Sequence, residues 1–210
     1  MDIRKFWDKN AAKYAASPIK DMAAYEDTLA RTLGHLGTSA KVLEIGCGTG
    51  STALRIAPVV AQFCGTDVSP KMIDIATAKA RAAGIDALEF QVADDRAAFE
   101  MMQNPDAILA FSILHLVSDL PAVLQRVQGA LPQGGLFISK SPCLAEPALG
   151  LRRFAFAALI PVMRVLGVAP PVQQLTFAGL ERAITDAGFE LVETLSNPAM
   201  SRYIVARKET

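Results

Sequence analysis

The segment of this sequence best suited to chemistry is an apolar run followed by alternating glycines. Residues 42–50 are Val-Leu-Glu-Ile-Gly-Cys-Gly-Thr-Gly. The first four are typical of a buried parallel strand. Glycines at positions 46, 48 and 50 predict a strand-to-helix turn where a ligand lies against bare backbone. We expect a helix over roughly 49–57 whose free N–H groups point at that ligand.

An acidic residue stands near the end of the next apolar run. Asp67 closes residues 62–67, Gln-Phe-Cys-Gly-Thr-Asp. A carboxylate about 20 residues beyond such a glycine turn is placed to hydrogen-bond the hydroxyls of a ribose. Alternatively, Asp67 caps the helix whose start is predicted by Ser69 and Pro70. The turn and the acid together predict a site for an adenosine-containing cofactor.

Two residues distinguish between possible cofactors. In the dinucleotide pattern G-x-G-x-x-G that starts at Gly46, the third glycine is replaced by Ser51. Glu44 lies two residues before Gly46, where a carboxylate would repel a pyrophosphate and suit a cation. S-adenosylmethionine has no phosphate and carries an ammonium and a sulfonium, so it is favoured over a nicotinamide dinucleotide.

Strand-like and helical segments alternate along the chain. The predicted strands are 40–45, 62–66, 87–92, 107–111, 136–140, 189–194 and 203–207, and the predicted helices are two within 5–36, then 70–83, 120–130 and 177–187. This alternation predicts a doubly wound parallel sheet, in which ligands bind beyond the carboxyl ends of the strands. Six residues fall at or just past predicted strand ends: Glu44, Gly46, Asp67, Asp94, Phe111 and Lys140.

The sequence resembles the class I S-adenosylmethionine-dependent methyltransferases over about residues 5–207. The resemblance is carried by Glu44-x-Gly46-x-Gly48-x-Gly50, Asp67, Ala93-Asp94, the turn at 131–138 and the lead-in Phe-Trp-Asp-Lys-Asn-Ala-Ala-Lys-Tyr at 6–14. It implies a seven-stranded, mostly parallel sheet with a C-terminal antiparallel hairpin and helices on both faces. It also implies methyl transfer from S-adenosyl-L-methionine, which leaves S-adenosyl-L-homocysteine.

The resemblance also implies which residues bind the cofactor. Glu44 is expected to hold the methionine ammonium directly or through water, Asp67 the ribose, and Asp94 the adenine amino group. The full expected set is Glu44, Gly46, Cys47, Gly48, Asp67, Val68, Ala93, Asp94, Phe111 and Tyr14. Other interpretations stay open: Asp94 as the cap of a helix near Arg96, Phe111 as a core residue, and Tyr14 as helix packing.

His115 follows the fourth predicted strand, in a loop that faces the sulfonium and the acceptor in the resembled family. It is a candidate general base for an oxygen acceptor. The alternative is a packed, hydrogen-bonded histidine. Since a base is needed only when the nucleophile arrives protonated, O-, N-, S- and C-methylation all stay open.

Composition excludes several classes of function. Lysine plus arginine number 21, as do aspartate plus glutamate, so the formal net charge is zero and nucleic acid is not expected as a partner. Three cysteines and two histidines show no metal-ligand spacing, so no metal is expected. The N-terminus is polar and predicts no signal segment, which favours a cytoplasmic location.

The whole chain, 1–210, is expected to be one domain, with a helical lid at 1–36 and a helical cap at 141–175. Residues 149–168 are apolar but are interrupted by Arg152, Arg153, Pro161 and Arg164, so they predict no transmembrane span. They favour a cap over the acceptor pocket or, alternatively, peripheral contact with lipid. The predicted acceptor is a small apolar or amphipathic molecule; the alternative is a non-catalytic regulatory or interaction protein that binds the same cofactor.

Overall fold

Seven strands form one mixed sheet in the computed structural model, which describes residues 2–85, 87–198 and 200–209. They are β1 (Lys41–Ile45), β2 (Gln62–Asp67), β3 (Leu88–Val92), β4 (Ala107–Phe111), β5 (Leu136–Pro142), β6 (Phe189–Ser196) and β7 (Ser201–Lys208). Their order is β3-β2-β1-β4-β5-β7-β6. The first five are parallel, and β7 runs antiparallel to β5 and β6. The predicted mostly parallel sheet with a C-terminal antiparallel hairpin is confirmed.

Within the described residues, seven α-helices surround this sheet. They are α1 (Ile3–Ala16), α2 (Met22–His35), α3 (Ala53–Ile56), α4 (Pro70–Ala83), α5 (Leu120–Ala130), α6 (Arg152–Val165) and α7 (Phe177–Asp186). The predicted start of α4 is confirmed, because the Ser69 side chain accepts a hydrogen bond from the Met72 N–H and Pro70 takes the first helical position. The predicted break between α1 and α2 is also confirmed.

Apolar side chains form a separate core on each face of the sheet. Adjacent strand residues point to opposite faces, so Leu43 joins a core with α5 and α7, while Val42 joins one with α2, α3 and α4. Burial on both sides explains why these strands are continuous apolar runs. It also leaves the ends of the strands as the place where polar side chains gather.

The prediction of a helix over 49–57 is wrong in its extent, because α3 covers only Ala53–Ile56. The reason is backbone geometry: Gly46, Gly48 and Gly50 all have positive φ, the left-handed region, which an α-helix cannot contain. Residues 47–50 instead form a turn in which the Gly50 N–H donates to the Cys47 carbonyl at 3.0 Å. A ligand at this edge would therefore meet the glycine turn rather than a long helix N-terminus.

Candidate cofactor site

Backbone hydrogen bonds join the ends of β1, β2 and β3 into one surface. The Cys47 N–H donates to the Thr66 carbonyl at 2.9 Å, and the Thr66 hydroxyl donates to the Glu44 carbonyl at 3.1 Å. The Ala93 N–H donates to the Asp67 carbonyl at 3.0 Å. The order of the sheet thus brings together segments that lie about 20 residues apart in sequence.

Gly46 and Gly50 are required by close approach as well as by backbone conformation. A Cβ at Gly46, where φ is +67°, would lie 2.7 Å from Ile113 Cγ1. A Cβ at Gly50, where φ is +73°, would lie 2.6 Å from Phe90 Cζ. Both distances are well inside van der Waals contact, so a side chain at either position would force Ile113 or Phe90 to shift.

Glu44 is a buried carboxyl group that lacks a full set of partners. Its side chain is 2% exposed, and Oε2 has no hydrogen-bond partner among the described residues. Burial, and then the nearby Asp67, raise its pKa from 4.5 to about 8. Such a group is costly without a counter-charge, so the site favours a ligand that brings a cation to it.

Asp67 binds backbone on both sides of its carboxylate. The Gly48 N–H donates to Oδ2 at 3.0 Å, and the Ser69 N–H donates to Oδ1 at 2.9 Å. Burial raises its pKa, although these hydrogen bonds act in the opposite direction. Asp67 thus holds the backbone of Ser69, which is itself the cap of α4, and its contact with Gly48 holds the carboxylate against the glycine turn. Contact with a ribose stays a prediction.

The segment that follows β3 contributes an exposed acid beside buried backbone. The Arg96 and Ala97 N–H groups donate to Asp94 Oδ1 at 3.0 and 2.9 Å, and these bonds lower the pKa of Asp94. This is the capping geometry that the alternative interpretation predicted. Ala93 is buried and Val68 is partly buried beside it. Recognition of adenine by this segment stays a prediction.

Helix α1 lies over the glycine turn. The Tyr14 ring would be 3.6 Å from a Cβ at Gly48, and its pKa is raised by burial and then by Glu44 and Asp67. The side chain is nevertheless 50% exposed, so it forms the outer wall of the site. Asp8 anchors the helix, because its Oδ1 accepts from the Ser69 hydroxyl at 2.6 Å.

The loop after β4 brings His115 toward the same edge. Burial lowers the pKa of this imidazole from 6.5 to about 4, so it is neutral near pH 7. Its buried Nδ1 has no partner in the described part of the chain, while its backbone carbonyl accepts from the Gln173 N–H at 2.7 Å. A general-base function stays a prediction, and so does a cofactor contact for Phe111, which is partly buried against the core.

Three neighbours of the site were not predicted from sequence. Ile113 and Phe90 pack against the glycines, and the pKa of Tyr25 of α2 is raised by burial and, to a smaller extent, by the charge of Glu44. Only the position of Ile113, two residues after a predicted strand, carried a usable signal. Lys140 ends near α2 instead, where its ammonium donates to the Thr28 hydroxyl at 2.6 Å.

Neither a metal-binding cluster nor a membrane-spanning helix is present in the described part of the chain. Within residues 2–85, 87–198 and 200–209, no cluster of three or more histidine, cysteine, aspartate or glutamate side chains is placed to hold a metal ion. Across the same residues, no helix has the length and apolar character needed to cross a bilayer.

A family model described as "Methyltransferase domain" matches residues 36–159. The chain is 29% identical to the ubiquinone biosynthesis O-methyltransferase of Methylobacterium nodulans, over 79% of this chain and 67% of that protein. It is 30% identical to the tRNA 5-carboxymethoxyuridine methyltransferase of Escherichia coli K12, over 64% of this chain and 52% of that protein. The fold is similar to that of magnesium protoporphyrin IX methyltransferase from Synechocystis with bound S-adenosylhomocysteine, with a TM-score of 0.71, 18% identity and coverage of 99% and 98% of the two chains.

Proposed function

This chain belongs to the methyltransferase-domain family, and on that premise we propose that it methylates a small apolar or amphipathic molecule. It is an S-adenosylmethionine-dependent methyltransferase, and S-adenosylmethionine is its cofactor. The resemblance to the class I enzymes is thereby confirmed. The alternative of a non-catalytic protein on the same fold is set aside.

Our proposal for where the cofactor binds rests on the buried carboxyl group of Glu44, whose Oε2 has no hydrogen-bond partner among the described residues. S-adenosylmethionine supplies a methyl group on a positively charged sulfur, and it also bears an ammonium. In our proposal Glu44 holds that ammonium, which would favour the ionised carboxylate and offset the cost of its burial. The turn at Gly46, Gly48 and Gly50 leaves room for the rest of the cofactor against backbone.

We assign the remaining parts of the cofactor to the neighbouring strand ends. Asp67 would accept hydrogen bonds from the ribose while it still accepts from Gly48. The segment Ala93–Asp94 would face the adenine, and Tyr14 would cover the methionine end from α1. These residues position the donor and keep water away from it, which is the main requirement for an in-line methyl transfer.

The proposed acceptor class rests on the segment between β5 and α7. This segment touches the loop of His115 through the hydrogen bond from Gln173, and its helix α6 is rich in apolar side chains. An apolar or amphipathic acceptor suits such a neighbour. With zero formal net charge on the chain, we do not propose nucleic acid as the substrate, although one relative is a tRNA methyltransferase.

Calorimetric titration with S-adenosylmethionine, S-adenosylhomocysteine and NAD tests the site. We expect the first two to bind, NAD not to bind, and Asp67→Ala to weaken S-adenosylmethionine binding about 10-fold or more, since hydrogen bonds to a charged group contribute about 1.5–3 kcal/mol. Asp74→Ala, an exposed acid on α4, is the matched control and should bind as the wild type does. Unchanged affinity in Asp67→Ala would remove Asp67 from the site.

A further inference from the structure

Helix α6 is attached to the molecule without being buried in it. None of its 14 residues is buried, and the side chains that border it are among the most exposed apolar residues in the described part of the chain. Leu151 is 85% exposed and Val165 is 87% exposed. So much uncovered apolar surface on one element marks an interaction surface.

The exposed and covered side chains of α6 lie on opposite faces. Positions 153, 156, 160 and 163 are partly buried, and their spacing of three and four residues places them along one stripe toward the protein body. The opposite stripe carries Leu151, Phe154, Leu159, Val162, Val165 and Leu166, all exposed. We call this second stripe the outward face. Phe156, Ile160 and Met163 of the first stripe therefore cover the protein body, while the outward face is a second apolar surface that stays exposed.

The charged residues of α6 and of its connections all have one sign. Arg152 and Arg164 are exposed, Arg153 lies on the partly buried stripe, and residues 147–180 contain no aspartate or glutamate. A positively charged helix with an apolar outward face is the pattern of helices that lie in the interface of an anionic membrane. We propose that the outward face of α6 docks on a bilayer surface that contains anionic lipid.

Charge favours lipid over a second copy of this chain. In a symmetric dimer the same patch occurs on both sides, so the arginines of one α6 would face those of the other without an acid to pair with them. An anionic headgroup layer provides the opposite charge along the whole helix. Apolar side chains such as Leu159 and Val162 would then enter the acyl boundary.

Hydrogen bonds at the two ends of the segment that contains α6 indicate that this helix can dock on lipid without unfolding of the core. The Ala145 N–H donates to the Leu175 carbonyl at 3.0 Å, and the Gln173 N–H donates to the His115 carbonyl at 2.7 Å. Both bonds lie outside α6 and hold its two connections close to the loop after β4. A docked α6 would therefore keep the strand ends that carry the cofactor site close to the lipid surface.

Co-sedimentation with lipid vesicles tests the proposal on the full chain, without any acceptor. We expect binding to vesicles of phosphatidylcholine mixed with phosphatidylglycerol, little binding to phosphatidylcholine alone, and release as salt concentration rises. The double variant Leu159→Asp/Val162→Asp should lower the partition coefficient roughly 100-fold, since it replaces two inserted apolar side chains with charges. Arg152→Gln should lower it about fivefold.

Val59→Asp is the matched control, because Val59 is an exposed valine that follows α3, toward the amino end of β2 and far from the carboxyl ends of the strands. It should bind vesicles as the wild type does. Absence of binding to the anionic vesicles, or equal binding to both kinds, would overturn the proposal. A concentration-dependent dimer in sedimentation velocity that Leu159→Asp/Val162→Asp abolishes would overturn it in favour of a second copy.

Discussion

The glycine turn follows the carboxyl end of β1 and helix α6 follows that of β5, yet the two are built in opposite ways. At the turn, Gly46 and Gly50 are enclosed so tightly that an added Cβ would lie within 2.7 Å of a neighbour. On α6, no residue is buried, and the glycine that follows it, Gly167, has no atom within 4 Å of an added Cβ. One region is fixed by contact, and the other is held mainly through its ends.

This difference separates the two tasks of the enzyme. A cofactor with one fixed shape is matched by backbone geometry and buried polar groups, where a small shift breaks several contacts at once. In our proposal the acceptor side is formed by the segment that contains α6, none of whose helical residues is buried. We infer that cofactor binding is the property least tolerant of substitution in this chain, and that acceptor choice and membrane contact are the most adjustable.

The largest effect is expected from a pair of matched glycine substitutions, one in the glycine turn and one just after α6. Gly46 and Gly167 have nearly the same φ, +67° and +71°, and differ in their surroundings. We expect Gly46→Ala to lower the free energy of unfolding by about 3 kcal/mol, from left-handed strain plus overpacking against Ile113. Gly167→Ala should cost only about 1 kcal/mol, from strain alone. Urea denaturation measures both.

Equal losses in the two variants would mean that the contact between Gly46 and Ile113 is relieved at no cost. The close contacts of the turn would then be no obstacle to substitution, and the turn would tolerate a side chain as well as the residue that follows α6. Ile113→Ala combined with Gly46→Ala tests the contact, since it removes the two closest atoms, Cγ1 and Cδ1, and leaves Ile113 Cβ at 2.9 Å. In that background Gly46→Ala should cost less than about 3 kcal/mol while keeping the strain of about 1–2 kcal/mol.

Glu44→Gln tests the buried carboxyl group through the pH dependence of stability. The pKa of Glu44 is about 8 in the folded chain, above its ordinary 4.5. Between these values the folded state keeps a proton that the unfolded state has released. Its contribution is therefore fully present below pH 4.5, and it is lost at about 1.4 kcal/mol per pH unit as pH rises toward 8.

We expect Glu44→Gln to flatten this decline in the ligand-free protein, as followed by urea denaturation at several pH values. Glu89→Gln, an exposed carboxyl group on β3, is the control and should leave the slope unchanged. If Glu44→Gln and the wild type decline in parallel, Glu44 is ionised in the folded chain. The case for an uncompensated carboxyl group that awaits a cation would then be lost.

The sequence predicted the strands and the polar residues at their ends well, because both depend on local patterns, while cofactor binding by those residues stays a prediction. Short apolar runs such as 107–111, bounded by turn residues, are typical of strands buried on both faces, and the carboxyl ends of parallel strands meet at one edge. Glu44 lies near the carboxyl end of β1, where its position two residues before Gly46 predicted it, and its contact with the cofactor stays a prediction. The sequence could not show that its Oε2 lacks a partner, since that depends on what surrounds it in space.

The failures concern features that arise from packing or backbone strain. The helix predicted from residue 49 begins at Ala53, because three positive φ angles precede it. Phe90 lies 40 residues beyond Gly50 in sequence, and only the pairing of β2 with β3 brings its ring there. Residues 149–168 left two interpretations open, since apolar side chains predict burial equally well in a protein core or in lipid.

The prediction with the smallest expected effect tests whether helix α6 packs against the core. Leu159→Asp places a charge on the outward face of α6, where the wild-type side chain is 54% exposed. We expect the free energy of unfolding to change by less than about 0.5 kcal/mol, as for a surface position, whereas a buried leucine would lose several times as much. The same urea denaturation serves, with Leu124→Asp of α5 as the buried comparison. A loss above about 2 kcal/mol in Leu159→Asp would show that α6 packs against the core in solution. Its outward face would then be unavailable to lipid, and the glycine turn and the cap would be regions of one kind.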